Sequence, residues 1–361
     1  MNSKERVKLA LDHQEPDRVP LHCSFTPEAE AKLAQHLGLE ATRLEAYKSE
    51  GADMGLAMGH DLLTTWLGFA TSYYAQDTAS YTCEWGVEWQ WVDYPTGRYT
   101  EAKSRPLADA VSLVNYRVPD PYREEIYDGA RRLIESYGDE YYIVGAIPCT
   151  IFECSWALRG YDRLMLDMIE NKRFAHELFD AVVEFSRVAG RKLIELGVDM
   201  IWVGDDFGGQ TNMLISPRTW REFFKPRYAG LFAEFKAQNP KLKIAYHSDG
   251  NIEQIIPELI DIGLDVLNAV QPKCMDTASL KRKYGRHLSF WGTVDIQEVL
   301  PFGTVADVAR EVKERILTMG PGGGFILAPT HNIQADTPVE NVLAYYEAAR
   351  RYGTYPLPKV P

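Results

Sequence analysis

Cysteine is scarce: five residues in 361, odd in number, scattered, with no CxxC pair. That excludes a disulfide scaffold and makes a reducing cytoplasm the expected compartment. No run approaches about 18 apolar residues, so no membrane-spanning helix is expected. The opening Met1-Asn2-Ser3-Lys4-Glu5-Arg6 leads into a charged, helix-like stretch without an apolar signal region, and a secretory leader is not expected. Positive charge is in deficit, 39 Lys and Arg against 51 Asp and Glu, for a formal net charge of -12. Such a chain exerts no overall pull on nucleic acid or anionic lipid, and neither is expected as a partner. Low-complexity segments and short internal repeats are lacking. The one glycine cluster, Gly320-Pro321-Gly322-Gly323-Gly324, precedes an apolar run. A phosphate cradle lies between a strand and the following helix, so this cluster reads as a tight αβ turn and no nucleotide cofactor is expected.

What is present is an apolar rhythm. The chain is 45% hydrophobic, enough to bury a large core as a single domain over 1–361. Short apolar runs end in polar residues, and helix-like stretches follow them. Met200–Val203 ends in Gly204-Asp205-Asp206, and Ile244–Tyr246 in His247-Ser248-Asp249-Gly250. Val266–Val270 ends in Gln271-Pro272, Leu288–Trp291 in Gly292-Thr293-Val294-Asp295, and Phe325–Ala328 in Pro329-Thr330-His331. Continuous apolar runs are the pattern of strands buried on both faces. Arg173–Leu196 has helical spacing and stops at Gly197, while Ser216-Pro217 and Thr337-Pro338 look like N-caps followed by proline. Tyr141–Pro148 and Arg18–Phe25 read as further strands, and a segment near Gly51–Met58 supplies the eighth. The expected fold is α/β, a (β/α)₈ TIM barrel, with an open doubly wound sheet as the alternative. Residues 81–107 break the rhythm. They contain Trp85, Trp89, Trp91 and the turn signal Pro95-Thr96-Gly97, and read as a β-hairpin inserted in the N-terminal half.

Residues at the C-terminal ends of barrel strands converge on one pocket. The candidates are Glu153, Asp205, Asp206, His247, Asp249, Gln271, Cys274, Asp295 and His331. Carboxylates with two imidazoles suit proton transfer or a metal. His247 and Asp249, two apart in extended backbone, point to the same side; the alternative is that Asp249 caps the next helix, beginning near Asn251, while His247 hydrogen-bonds locally. Asp205 and Asp206 are candidates for holding a metal, for a general base or for orienting a cationic partner, with the alternative that one faces the pocket and the other caps a loop amide. Glu153 lies in an apolar setting that would raise its pKa and favour a general acid, with an ion pair to Arg159 or Arg163 as the alternative. Cys274 is a weak candidate, since a lone cysteine is more often packed. Trp202 and Trp291 suit the wall of a site for an aromatic or quaternary-amine substrate, or simply core packing.

Several stretches resemble the uroporphyrinogen decarboxylase superfamily. They are Ile244–Ile252 (IAYHSDGNI), Phe290–Asp295 (FWGTVD), Phe325–Val342 (FILAPTHNIQADTPVENV), and the opening Lys4–Val7 through Pro16–Pro20. The resemblance implies a TIM barrel and one of two chemistries: decarboxylation of a porphyrin precursor, or methyl transfer in corrinoid systems.

The chain departs from both better-known patterns. Leu21–Glu28 stands where the decarboxylases carry an arginine-rich segment, and it has no arginine. A polycarboxylate substrate needs cationic partners. In the thiol-methylating enzymes a His-x-Cys motif and a later Cys bind zinc. Here His247 matches, Asp249 replaces the first cysteine, and His331 lies near the second. A His247/Asp249/His331 set is harder than His/Cys/Cys, and zinc with N and O ligands is expected to activate something other than a soft thiol. The expected function is therefore methyl transfer from an O-methyl or N-methyl small molecule to a corrinoid carried by a partner protein. Glu153, Asp205 and His331 would be catalytic; His247, Asp249 and His331 would bind metal; Asp206, Gln271, Trp291 and Trp202 would bind substrate. The alternatives are a decarboxylase or lyase and a non-catalytic ligand-binding barrel. The resemblance also implies a homodimer.

Overall fold

The computed structural model describes residues 1–39, 52–95 and 97–358. Among the described residues, ten strands form two sheets: β1 (Leu62–Trp66), β2 (Ser80–Thr82), β3 (Glu88–Tyr94), β4 (Gly97–Ser104), β5 (Tyr142–Pro148), β6 (Met200–Gly204), β7 (Lys243–His247), β8 (Val266–Ala269), β9 (Ser289–Val294) and β10 (Phe325–Pro329). The large sheet runs β1-β5-β6-β7-β8-β9-β10 with every pair parallel. Every residue of β1, β5, β6, β9 and β10 is buried, and burial on both faces is why runs such as those of β6 and β10 read as unbroken and apolar.

An eighth segment closes the ring. The His22 N–H donates to Leu327 O at 3.0 Å, Leu327 N–H to Pro20 O at 2.9 Å, and Asp61 N–H to Leu21 O at 2.9 Å. Pro20–His22 thus bonds β10 on one side and the entrance to β1 on the other. The expected strand over Arg18–Phe25 is this short extended stave, with isolated bridges at Arg18, Leu21 and Phe25. The fold is the α/β barrel expected from the sequence. The buried Asp61 carboxylate fixes the stave from below. It accepts from Leu21 N–H at 2.8 Å, from Arg18 Nη1 at 2.6 Å and from Arg6 Nη1 at 2.7 Å.

The expected strand at Gly51–Met58 is corrected: Ala52–Met58 is a helix, and Gly51 lies outside the described residues. The strand there is β1, Leu-Leu-Thr-Thr-Trp, whose two threonines are buried in a run that does not read as apolar. The long helix Lys172–Leu196 ends as expected at Gly197, whose φ of 102° suits glycine. Ser216 caps Thr219 N–H at 3.1 Å. The second expected cap differs, because Pro338 itself is the N-cap of Val339–Tyr352 and Thr337 makes no cap bond.

The expected hairpin is a three-stranded antiparallel sheet, β2-β3-β4, with its second turn between Tyr94 and Gly97. Trp85 and Trp89 are buried. Trp85 packs on Phe69 and Phe185, and Trp89 on Phe69 and Tyr73. The sheet therefore braces the loop after β1 rather than presenting free tryptophans. Trp91 instead carries the Arg98 guanidinium 4.0 Å from its ring centroid. Among the described residues no helix is long and apolar enough to cross a membrane.

Candidate active site and metal centre

The C-terminal strand ends surround a cavity of about 260 Å³. Trp66 at the end of β1 and Trp202 of β6 meet with ring centroids 5.0 Å apart, and Trp202 and Trp291 of β9 are also 5.0 Å apart. These three rings form a continuous aromatic wall. Glu153, Asp206, His22, His247 and His331 supply the ionisable lining, with Tyr73 and Cys149 beside Glu153. No lysine or arginine stands among the described lining residues.

At the end of β6, successive side chains point to opposite sides, and this separates two adjacent carboxylates. Asp205 turns beneath the helix Phe152–Arg159. It is fully buried and accepts from Ile151 N–H at 3.1 Å, Glu153 N–H at 3.0 Å and the Tyr228 hydroxyl at 2.5 Å. Burial pushes its carboxyl up to about 6, although the Tyr228 hydroxyl and the backbone donors favour the charged form. Asp206 turns into the cavity, and its Oδ1 accepts Asp249 N–H at 2.8 Å. Its own N–H donates to Glu153 Oε2 at 3.2 Å. Burial, then the nearby Asp206 and Asp205, holds the Glu153 carboxyl well above the ordinary range. Arg159 and Arg163 both pair with Asp167, so the alternative ion pair for Glu153 is not formed.

The segment after β7 is shaped by close backbone approaches. Gly250 has φ of +74°, and a Cβ there would lie 2.3 Å from the Gly208 carbonyl carbon. A Cβ on Gly204 would lie 2.2 Å from His247 O. Glycine is required at both places. The fold thereby draws His247, Asp249 and His331 together, with one ligand atom from each lying within 4.8 Å of the others. His247 Nε2 is 3.9 Å from Asp249 Oδ1 and 3.7 Å from Asp206 Oδ1. Asp249 Oδ1 is buried and has no hydrogen-bond partner. Ligand atoms about 2.0–2.2 Å from a tetrahedral zinc sit about 3.3–3.6 Å apart. Contraction of the separations in the set, 3.9 Å for His247–Asp249 and no more than 4.8 Å for any pair, would seat an ion and satisfy the orphaned oxygen, so the donor set suits a zinc-sized cation.

Of the sequence candidates, Glu153, Asp206, Trp202, Trp291, His247 and His331 face the cavity, and Asp249 lies at its edge. Four candidates are corrected, their polar atoms being engaged away from the cavity. Asp205 is committed to capping a helix and holding Tyr228, and does not line the cavity. The Gln271 amide oxygen accepts Gly250 N–H at 2.5 Å and braces that turn instead of facing substrate. Cys274 is buried, its thiol directed at Gln210 and Gln271 oxygens. Asp295 accepts from Gln297, Glu298 and Val299 N–H groups and is likewise a cap. The residues that sequence reasoning missed are Asn268, His22, Tyr73, Cys149 and Trp66. Asn268 left a signal, as a lone amide inside the apolar run Val266–Val270.

Residues 90–352 match the uroporphyrinogen decarboxylase (URO-D) family. The chain belongs to that family. Among its relatives, the methylcobamide:CoM methyltransferase MtaA of Methanosarcina barkeri is 24% identical over 362 aligned positions, covering 97% of this chain and 98% of the relative. A methylated-thiol–coenzyme M methyltransferase of Methanosarcina mazei is 26% identical over 179 residues. That match spans 49% of this chain and only 44% of the relative. A uroporphyrinogen decarboxylase of Legionella pneumophila is 23% identical over 253 residues, covering 68% of this chain and 69% of the relative. Among solved structures, a methyltransferase from Methanosarcina mazei superposes with a TM-score of 0.73 over 98% of this chain and 99% of that one, at 20% identity. That likeness supports the URO-D barrel fold.

Proposed function

We propose that this URO-D family member is a corrinoid-dependent methyltransferase. It moves a methyl group from an O-methyl or N-methyl small molecule to a corrinoid carried by a partner protein. The observation that carries the reading is the convergence of His247, Asp249 and His331 at the edge of a cavity whose wall holds Glu153. The relatives named as methyltransferases support it, one of them matched over nearly its full length. The decarboxylase reading calls for a cationic cavity, and the described lining has neither lysine nor arginine.

Zinc held by His247, Asp249 and His331 would supply a Lewis acid that withdraws electron density from the leaving heteroatom. The rest is done by the chain. The Trp66, Trp202 and Trp291 wall holds the donor and excludes water. The methyl carbon passes from the heteroatom to a cobalt nucleophile, and the electron pair of the broken bond stays on the heteroatom. Glu153, its carboxyl held well above the ordinary range by burial and the neighbouring acids, delivers its proton there when that atom is oxygen. Asp206, bonded to the Asp249 amide, keeps the turn that carries the ligand in place.

Incubation with reduced cobalamin or a reduced corrinoid protein and a panel of O-methyl and N-methyl donors tests the reading. The expected result is donor-dependent appearance of methylated corrinoid in the absorption spectrum. Absence of methylated corrinoid with every donor overturns it. Elemental analysis tests the metal separately. Zinc is expected near one per chain and strongly reduced in His247→Ala, whereas zinc absent from the wild type removes the metal while leaving the fold unchanged.

A further inference from the structure

We infer that Asn268 is a positioning residue that fixes the tautomer of His247 and so aims its Nε2 lone pair at the space shared with Asp249 and His331. This rests on the metal reading above only for its consequence; the tautomer itself follows from contacts within the chain. His247 ends β7 and Asn268 lies in β8, and the parallel register places the two side by side. The Asn268 Nδ2 donates to Trp291 O at 2.9 Å. A backbone carbonyl only accepts, so the amide nitrogen must face Trp291 and the amide oxygen must face the other way. That oxygen meets His247 Nδ1 at 2.6 Å. An amide oxygen also only accepts, so Nδ1 carries the proton. In neutral imidazole the other nitrogen is then bare.

The chain of constraint runs through three strands: the β9 carbonyl orients the β8 amide, and the amide orients the β7 imidazole. The bare Nε2 faces Asp206 Oδ1 at 3.7 Å and Asp249 Oδ1 at 3.9 Å, both beyond hydrogen-bond reach. A lone pair set against two carboxylate oxygens is repelled unless a cation or a proton lies between them. Asn268 therefore prepares an electron-rich gap in advance of its occupant. It touches neither the ligand atoms nor the cavity's reacting centre as a donor to metal; it acts through His247. Carbonyl or carboxylate partners of metal-binding histidines serve this purpose generally, and their loss weakens metal binding about 10–100-fold.

The experiment compares wild type, Asn268→Asp and Asn268→Leu by two readouts. Nitrogen-15 spectra of histidine-labelled, metal-free protein, with His247 assigned by His247→Gln, report the tautomer directly. Zinc affinity is measured by competition with a chromophoric chelator. Wild type is expected to show protonated Nδ1 and bare Nε2. Asn268→Leu is expected to lose that preference and to bind zinc at least tenfold more weakly, while Asn268→Asp, which still accepts from Nδ1, restores both. A wild-type His247 protonated on Nε2 overturns the inference, as does unchanged zinc affinity in Asn268→Leu. If Asn268→Leu does not fold, the wild-type spectrum and the Asn268→Asp affinity decide it. Wild-type protein that binds no zinc sinks the metal reading instead, and the tautomer measurement still stands on its own.

Discussion

Replacing Asp205 separates a structural carboxylate from a catalytic one, and the structure sets the size of the effect. Its oxygens satisfy Ile151 N–H, Glu153 N–H and the Tyr228 hydroxyl, all in the interior. Asp205→Ala strands these three donors at about 1–3 kcal/mol each. It also removes a buried charge whose desolvation offsets part of that loss, so the net cost at pH 7 is expected to be roughly 4 kcal/mol. The pH dependence has a definite sign. The folded carboxyl is raised to about 6 from an ordinary 3.8. The folded state therefore keeps its proton where the unfolded state has shed it, and stability falls as pH rises between those values. For these two values, linkage gives about 1 kcal/mol more stability from this group at pH 5 than at pH 7. Asp205→Asn keeps an acceptor for the backbone donors and removes the titration. Urea unfolding of wild type, Asn and Ala forms at both pH values is the assay. A loss below 1 kcal/mol in the Ala form refutes the capping role. A wild-type-to-Asn difference equal at pH 5 and pH 7 refutes the titration argument.

Glu153→Gln is expected to slow methyl transfer from O-methyl donors by about 100-fold or more while leaving bound zinc unchanged; an unaltered rate excludes Glu153 as the proton source. Because its carboxyl is held high by burial and neighbouring acids, the wild-type rate should decline as pH rises and Glu153 loses its proton, which a pH–rate profile reads directly. Gly250→Ala forces a Cβ to within 2.3 Å of Gly208 at φ +74°. It should cost on the order of 2 kcal/mol and weaken zinc binding by displacing Asp249; unchanged zinc affinity in a folded variant contradicts the loop geometry. Asp61→Ala leaves Arg6 and Arg18 without their shared carboxylate and should lower unfolding stability by about 3 kcal/mol or more. A shift under 1 kcal/mol would show that the stave Pro20–His22 holds without it.

The barrel was legible because its strands are buried on both faces. Runs such as Met200–Val203 and Phe325–Ala328 carry their assignment in composition alone, and their polar ends marked the site. What failed were segments whose identity depends on distant partners. Leu62–Trp66 contains two threonines that only a closed barrel buries, while the small and apolar residues of Ala52–Met58 imitate a strand. The strand-end list likewise named residues but not their directions. Asp205 and Asp206 differ by one step along extended backbone, and that step sends one under a helix and the other into the cavity. Gln271 and Asp295 were on the list for their position, yet each spends its acceptors on backbone N–H groups. His247, Asp249 and His331 each stood at a strand end in the sequence, but only the resemblance joined them as one set, since nothing in their spacing brings the ends of β7 and β10 together. Asn268 showed in the sequence as a lone amide, but its role was hidden because its partners, a ring on one strand and a carbonyl on another, come together only after folding.

The Pro20–His22 stave joins Leu21 to Leu327, so the ring cannot be completed until almost the entire chain has been made. His331 stands just beyond that seam, whereas His247 and Asp249 hang from β7. A growing or partly opened chain thus holds two members of the ligand set without the third. An ion gripped by all three would favour the closed ring over any open one, and its binding free energy would add to the cohesion of the whole circle. Metal uptake would then signal finished assembly, because chains that have closed their barrel would be the ones able to retain an ion.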